Sequence, residues 1–167
     1  EFASSITSAQ WSPNQEYLAI YCSDSNLILQ TADLELLLTK NLGLGKNSQI
    51  TWRGDSKYFQ VCAETQTGFR VSTFTALGEL CESHFRSDEE GPVQNVCEKE
   101  TLLTSEVISW QPSGSYIAGV NNHSIVFWER NGLRHGEFGV EQEGKVKQLS
   151  WSWDSKVLAV VVGNSLC

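Results

Sequence analysis

The sequence has no methionine, only three prolines among 167 residues, and no long apolar run. Its longest apolar stretches, such as Val157 to Val162, fall far short of the roughly 20 residues a membrane-crossing helix needs. No membrane association is expected. No stretch of useful length carries helical periodicity. Positive charge is scarce, with Lys plus Arg at 12 against 20 Asp plus Glu, for a net charge of -8. Phosphate binding draws its affinity from Lys and Arg, so this balance argues against nucleic-acid binding by the chain alone and leaves room only for a local basic patch. Five cysteines (Cys22, Cys62, Cys81, Cys97, Cys167) are an odd number without metal spacing, and no signal peptide opens the chain. Free thiols in a reducing compartment are the expectation. With no methionine ahead of Glu1, the chain is expected to be cut from a longer one.

What the sequence does have is an internal repeat. Four segments align on a tryptophan: Trp11-Ser-Pro-Asn-Gln-Glu-Tyr-Leu-Ala, Trp52-Arg-Gly-Asp-Ser-Lys-Tyr-Phe-Gln, Trp110-Gln-Pro-Ser-Gly-Ser-Tyr-Ile-Ala and Trp151-Ser-Trp-Asp-Ser-Lys-Val-Leu-Ala. Their spacings are 41, 58 and 41 residues, and a WD40 blade runs about 40–45. An apolar residue (Ala9, Ile50, Ile108, Leu149) stands two before each tryptophan, and a polar one (Gln10, Thr51, Ser109, Ser150) stands one before it. This period-two alternation reads as a strand. A turn rich in Pro, Gly, Asn, Asp and Ser follows. The second strand is apolar at nearly every position, as in Tyr17 to Tyr21 and Val157 to Val162, which a sheet covered on both faces requires. Third strands are expected at Leu27–Leu29, Phe69–Phe74 and Ile125–Trp128, and fourth strands at Glu35–Leu38, Glu79–Cys81 and Arg134–Phe138. Asn131-Gly132 is the best hairpin signal.

The expected fold is all-β: a partial β-propeller of WD40-like four-stranded antiparallel blades, truncated at both ends. Blades are assigned to residues 5–41, 48–82 and 105–140, with an incomplete one at 145–167 that stops before its third strand. Residues 83–104, with Asp88-Glu89-Glu90-Gly91-Pro92 and Glu98-Lys99-Glu100, read as a solvated acidic loop between blades. Trp11, Trp52, Trp110 and Trp151 should be largely buried. Trp128-Glu129 stands where a WD dipeptide would close the third strand, so the repeats are degenerate. Such a fragment should present unpaired edges and uncovered faces.

The chemical motifs resolve into structure. Arg53-Gly54-Asp55 has the form of an integrin tripeptide, but the other repeats place turn residues at the same offset. Trp153-Asp154 falls in a turn of the same kind. Asn122-His123-Ser124 is a glycosylation sequon without a secretory signal. Cys81 and His84 lack a second ligand pair, so no metal is expected. His84, His123 and His135 lack an orienting group that would make a Cys–His nucleophile, so no catalysis is expected. Gly43-Leu44-Gly45-Lys46 is an incomplete phosphate loop. Ser12-Pro13 is a candidate phosphorylation site that a turn explains as well. Arg130, Arg134, His135, Lys145 and Lys147 form a modest basic cluster, ordinary surface charge or a contact for RNA or an acidic partner.

Particular residues resemble the N-terminal propeller of the Elongator complex protein 1 family. They are Ile50-Thr51-Trp52-Arg53-Gly54-Asp55 with Tyr58-Phe59, Ile108-Ser109-Trp110-Gln111-Pro112-Ser113-Gly114-Ser115-Tyr116-Ile117-Ala118, and above all Ile125-Val126-Phe127-Trp128-Glu129-Arg130-Asn131-Gly132-Leu133-Arg134-His135-Gly136-Glu137-Phe138. Leu149-Ser150-Trp151 and Asp154-Ser155-Lys156-Val157-Leu158-Ala159-Val160 continue in register, and Trp11 to Glu16 fits the preceding blade. The acidic loop is longer, and the stretch from Thr39 to Gln49 shorter, than the family's pattern. The resemblance implies a non-catalytic scaffold without cofactors, working in the cytoplasm and also assigned to the nucleus. Its complex modifies tRNA wobble uridines (U34). It implies partners in a radical-SAM catalytic subunit and a second WD40 subunit, tRNA contact only through the whole complex, and a homodimer made by a C-terminal region outside this sequence. The alternative is a WD40 protein-interaction module with no tRNA role.

Overall fold

The computed structural model describes residues 4–66, 68–81, 103–129, 134–163 and 165–166. The recurring tryptophan ends a strand in every repeat. The first sheet runs β1 (Ile6–Trp11), β2 (Tyr17–Cys22), β3 (Asn26–Thr31) and β4 (Leu36–Asn41), in that spatial order. The second holds β5 (Ser48–Trp52), β6 (Tyr58–Glu64) and β7 (Phe69–Thr75). The third holds β8 (Ile108–Trp110), β9 (Tyr116–Asn121), β10 (Ser124–Glu129) and β11 (Arg134–Gly139), and the fourth β12 (Val146–Trp151), β13 (Leu158–Val162) and β14 (Ser165–Leu166). All pairings are antiparallel. These are four consecutive blades of a β-propeller, stacked face to face.

The turn after each tryptophan has one geometry. The residue four past the tryptophan takes a positive φ in every blade: Gln15 at 63°, Ser56 at 62°, Gly114 at 81° and Ser155 at 63°. Its amide donates to the carbonyl three residues earlier, at Ser12, Arg53, Gln111 and Ser152. The amides of those four residues in turn donate to the carbonyls of Tyr17, Tyr58, Tyr116 and Val157. Only Gly114 occupies this left-handed conformation without steric cost. The other three are held there by the two hydrogen bonds of the turn.

The apolar second strands divide their side chains between two cores. On β6, Phe59, Val61 and Ala63 pack with Ala19, Tyr21, Leu27 and Leu29 of the first sheet, while Cys62 packs with Leu103 and Ile108 of the third. Alternation along one strand thus feeds two interfaces. On β9, Ala118 and Val120 meet Val146, Leu149 and Val162 of the fourth sheet.

Four features depart from the expectations. Trp11 is 44% exposed and Trp151 is half-buried, because each tryptophan packs backwards, onto the preceding sheet. Among the described residues no sheet precedes β1, and in the fourth sheet the described third strand is two residues paired with Val161 and Val162, away from the Leu158 end where Trp151 stands. The fourth repeat does reach its third strand: Ser165 and Leu166 pair with Val162 and Val161 after a turn begun by Gly163 at φ 56°. Glu79 to Cys81 forms only a single bridge, Phe74 with Leu80. Finally, the acidic loop lies outside the described residues up to position 102, but Leu103 and Thr104, assigned to it, belong to the third blade. Leu103 is buried against Cys62, Val71 and Ile108, and the Thr104 amide donates to the Val120 carbonyl at 3.0 Å. An apolar side chain at the mouth of an inter-blade core leaves water, whatever the polarity of the segment before it.

The second and third blades meet most tightly at Gly54, where a Cβ would stand 2.0 Å from the Pro112 carbonyl oxygen. Backbone there cannot yield without moving a blade. Gly54→Ala should cost about 1–3 kcal/mol of stability in urea denaturation. Gly139→Ala, where a Cβ meets nothing within 4 Å, should be within about 0.5 kcal/mol of the parent.

Candidate functional site

The innermost strands β1, β5, β8 and β12 follow one another through the stack, and the side chains that the repeat conserves tie them together. The Trp52 indole Nε1–H donates to the Gln10 carbonyl at 3.1 Å, and Trp151 Nε1–H to the Ser109 carbonyl at 3.2 Å. Each acceptor immediately precedes the tryptophan of the blade before. A buried indole needs such a partner, since an unpaired N–H away from water costs stability. Trp110 uses other groups: its Nε1–H donates to the Gly114 carbonyl at 3.3 Å, and its backbone N–H to Thr51 Oγ1 at 3.0 Å. Hydroxyls and amides complete the ladder. Ser8 Oγ accepts from the Ile50 amide at 3.1 Å, Ser56 Oγ from the Asn14 amide at 3.0 Å, and Ser155 Oγ from the Ser113 amide at 2.9 Å. Trp128 is half-buried, packs against the core between the second and third blades, and closes on Gly119.

The integrin-like tripeptide is built into this junction. Arg53 Nε donates to Asp55 Oδ1 at 2.7 Å and Nη2 to Oδ2 at 2.5 Å. The guanidinium carbon lies 4.3 Å from the centre of the Tyr58 ring and 5.9 Å from that of Trp110. The Arg53 side chain is only 13% exposed, so although Gly54 and Asp55 lie at the surface, the guanidinium is held in a clamp between Asp55 and the Tyr58 ring. Burial by itself would raise the Asp55 carboxyl pKa. The hydrogen bond and charge of Arg53, with the Lys57 amide, outweigh it and hold the pKa below the ordinary value.

Other motif residues are likewise committed to the fold. Ser12 is buried, donates to Asn14 Oδ1 at 2.6 Å and accepts from the Tyr17 amide at 3.0 Å, which leaves its hydroxyl enclosed. In Gly43-Leu44-Gly45-Lys46, the Gly45 amide donates to the Glu64 carbonyl at 2.6 Å, as a connection between blades. Cys22 and Cys62 are buried free thiols, and Cys81 is half-buried. Burial, helped by the Glu106 charge, pushes the Cys62 thiol well above its usual pKa. His84 lies outside the described residues.

The basic residues do not converge. Arg130 lies outside the described residues. The backbone of Arg134 pairs with Trp128, and His135 is exposed, 3.4 Å from Glu129 and 4.8 Å from the Tyr116 ring centre. These stand at the end of the third blade that carries Trp110. Lys145 and Lys147 are exposed at the start of β12, whose far end is Trp151. Trp151 lies beside Ser109, so the lysines sit at the opposite end, roughly 15–20 Å away at strand rise. Among the described residues, the expected cluster is two separate sites, with Glu129 beside His135 in one of them.

Stacked antiparallel sheets, joined innermost strand to innermost strand by a repeating tryptophan, define a WD40-like β-propeller. The family described as ELP1 first N-terminal beta-propeller matches residues 43–167, and the chain belongs to that family. It is 30% identical over 208 residues to Elongator complex protein 1 of Rattus norvegicus, covering 95% of this chain and 15% of the rat protein. It is 31% identical over 128 residues to that of Saccharomyces cerevisiae, covering 70% and 9% of the two chains. The chain thus spans about a sixth or less of these relatives' length. Among solved structures, the Myceliophteria thermophila Cps50 (Swd1) β-propeller domain superposes with a TM-score of 0.69 at 16% identity, covering 95% of this chain and 51% of that one.

Trp110→Ala should lower stability by about 3–5 kcal/mol in urea denaturation. Trp153→Ala, at a turn residue 90% exposed, should change it by less than about 0.5 kcal/mol. The Asp55 pKa is depressed by folding, so its contribution is complete above the unfolded value near 3.8 and is lost as pH falls through the folded value. The stability difference between the parent and Asp55→Asn should therefore shrink between about pH 5 and pH 2 in thermal unfolding. A constant difference would disconnect the carboxylate from the clamp.

Proposed function

We propose that this chain is part of a non-catalytic scaffold subunit of the Elongator complex, which supports tRNA wobble-uridine modification by holding the radical-SAM catalytic subunit. Family membership over residues 43–167 carries the reading. The chemistry of the described residues agrees with it. Arg53, Asp55, Ser12 and Cys62 are spent on packing and turns. What the blades offer to partners is shape, in their turns, outer edges and connecting segments. tRNA is met through the whole complex, in keeping with a net charge of -8 and with basic residues divided between the third and fourth blades.

A chimera tests this. The chain replaces the matching region of the Saccharomyces cerevisiae Elongator complex protein 1, and the chimera is purified by an affinity tag. The expected outcome is co-purification of the radical-SAM subunit and retention of wobble-uridine modification in tRNA. A chimera present at normal abundance that recovers no radical-SAM subunit would overturn the proposal and leave a WD40 interaction module without a tRNA role.

A further inference from the structure

The junction between the first and second blades is lined by apolar side chains, with Tyr21, Leu27, Leu29, Phe59 and Phe74 buried in it. The junction between the second and third blades is different. Gln60 lies between Phe59 and Val61, which face the first blade, and so shares the face of Cys62, which looks towards the third. The register aligns Thr51 with Gln60 and Gln60 with Thr73, so one polar row crosses that face from β5 to β7. Their exposures are 6%, 2% and 6%. The aligned row on the third blade is Trp110, Ile117 and Trp128.

Most polar groups of this junction have partners. Thr51 Oγ1 accepts from the Trp110 amide at 3.0 Å, and Gln49 Nε2 donates to the Ile108 carbonyl at 2.9 Å. Gln60 Nε2 donates to Thr73 Oγ1 at 3.1 Å. Gln60 Oε1 is buried and meets no donor among the described residues. A buried carbonyl oxygen without a donor costs stability, and native interiors rarely leave one.

The row holds what a small guest needs. The hydroxyls of Thr51 and Thr73 each serve as an acceptor, which leaves each a proton to donate. Residues directly opposite on antiparallel strands have Cα atoms about 4.5–5.5 Å apart. The two hydroxyls therefore flank Gln60, too far to bond Oε1 directly and close enough for one molecule to bridge. That molecule must both accept and donate, which excludes an apolar guest. The row carries no charged side chain, which disfavours an ion. A buried water typically makes about three such bonds.

We propose that Gln60 Oε1 holds an internal water between Thr51 and Thr73, as a fixed part of the junction between the second and third blades. The water accepts a proton from a threonine hydroxyl and donates one to Oε1. It joins the three strands of the second blade into one satisfied polar row, against which the third blade packs.

The test is a crystal structure of the chain, or of the chimera described above, at a resolution that shows ordered water. The expected result is a water about 2.5–3.0 Å from Gln60 Oε1 that also reaches the hydroxyl of Thr51 or Thr73. In solution, oxygen-17 relaxation dispersion of water should count about one fewer long-lived water in Gln60→Met than in the parent. Empty density beside Oε1, an amide turned over, or a protein N–H or O–H donating to Oε1 directly would each overturn the proposal. Equal counts in the parent and a folded Gln60→Met would do the same. Should Gln60→Met fail to fold, the density of the parent decides alone.

Discussion

The structure depends on one recurring contact, in which the tryptophan ending each innermost strand reaches back to the blade before it. For Trp52 and Trp151 the link is a hydrogen bond from the indole to a strand carbonyl. For Trp110 it is the Arg53 guanidinium over its ring and the Thr51 hydroxyl on its amide. The contact does two things at once. It buries the largest apolar side chain of the repeat, and it satisfies a polar group on each side of the interface, so that only one angular setting of the blades serves both. A stack held by apolar packing alone could slide, because burial has no direction.

The cores depend on that setting. Phe59 stands between Trp52 and Phe74, with ring centres 4.7 Å and 5.3 Å away, and this aromatic column fills the space between the first and second blades. At the next junction the fit is backbone on backbone, Gly54 against Pro112. Between the third and fourth blades the column is Phe127 with Trp151, 6.0 Å apart and edge to face. Each interface solves the same problem with different side chains, which is why the repeats share so little sequence beyond the tryptophan, the turn and the strand pattern.

Much of this was legible in the sequence because its signals are local. The tryptophan spacing marked the blades, and the turn chemistry after Trp11, Trp52, Trp110 and Trp151 marked equivalent corners. The apolar second strands announced sheets covered on both faces. What escaped depends on neighbours in space. The exposure of Trp11 follows from which sheet lies behind it, and nothing in its own repeat says so. Leu103 belongs to a core whose other members, Cys62, Val71 and Ile108, lie on both sides of the acidic segment. The third strand of the fourth blade was signalled by Gly163-Asn164, a hairpin pair of the kind that favours left-handed turns, but the strand beyond it is too short to show a pattern. Arg134, His135, Lys145 and Lys147 are close along the chain, yet β11 runs the length of the third blade before the chain enters the fourth, so the first two stand at one end of the stack's sheets and the two lysines at the other. The proposed scaffold function rests on family likeness alone, since packing residues look alike whatever the blades hold.

The most direct measurement is hydrogen exchange at the indole nitrogens, read by nuclear magnetic resonance. The account predicts that the Nε1–H groups of Trp52 and Trp151 exchange slowly, at least about a hundredfold below that of Trp153 in its exposed turn. Exchange at Trp52 or Trp151 as fast as at Trp153 would mean that the indoles do not join neighbouring blades, and would contradict the architecture built on them.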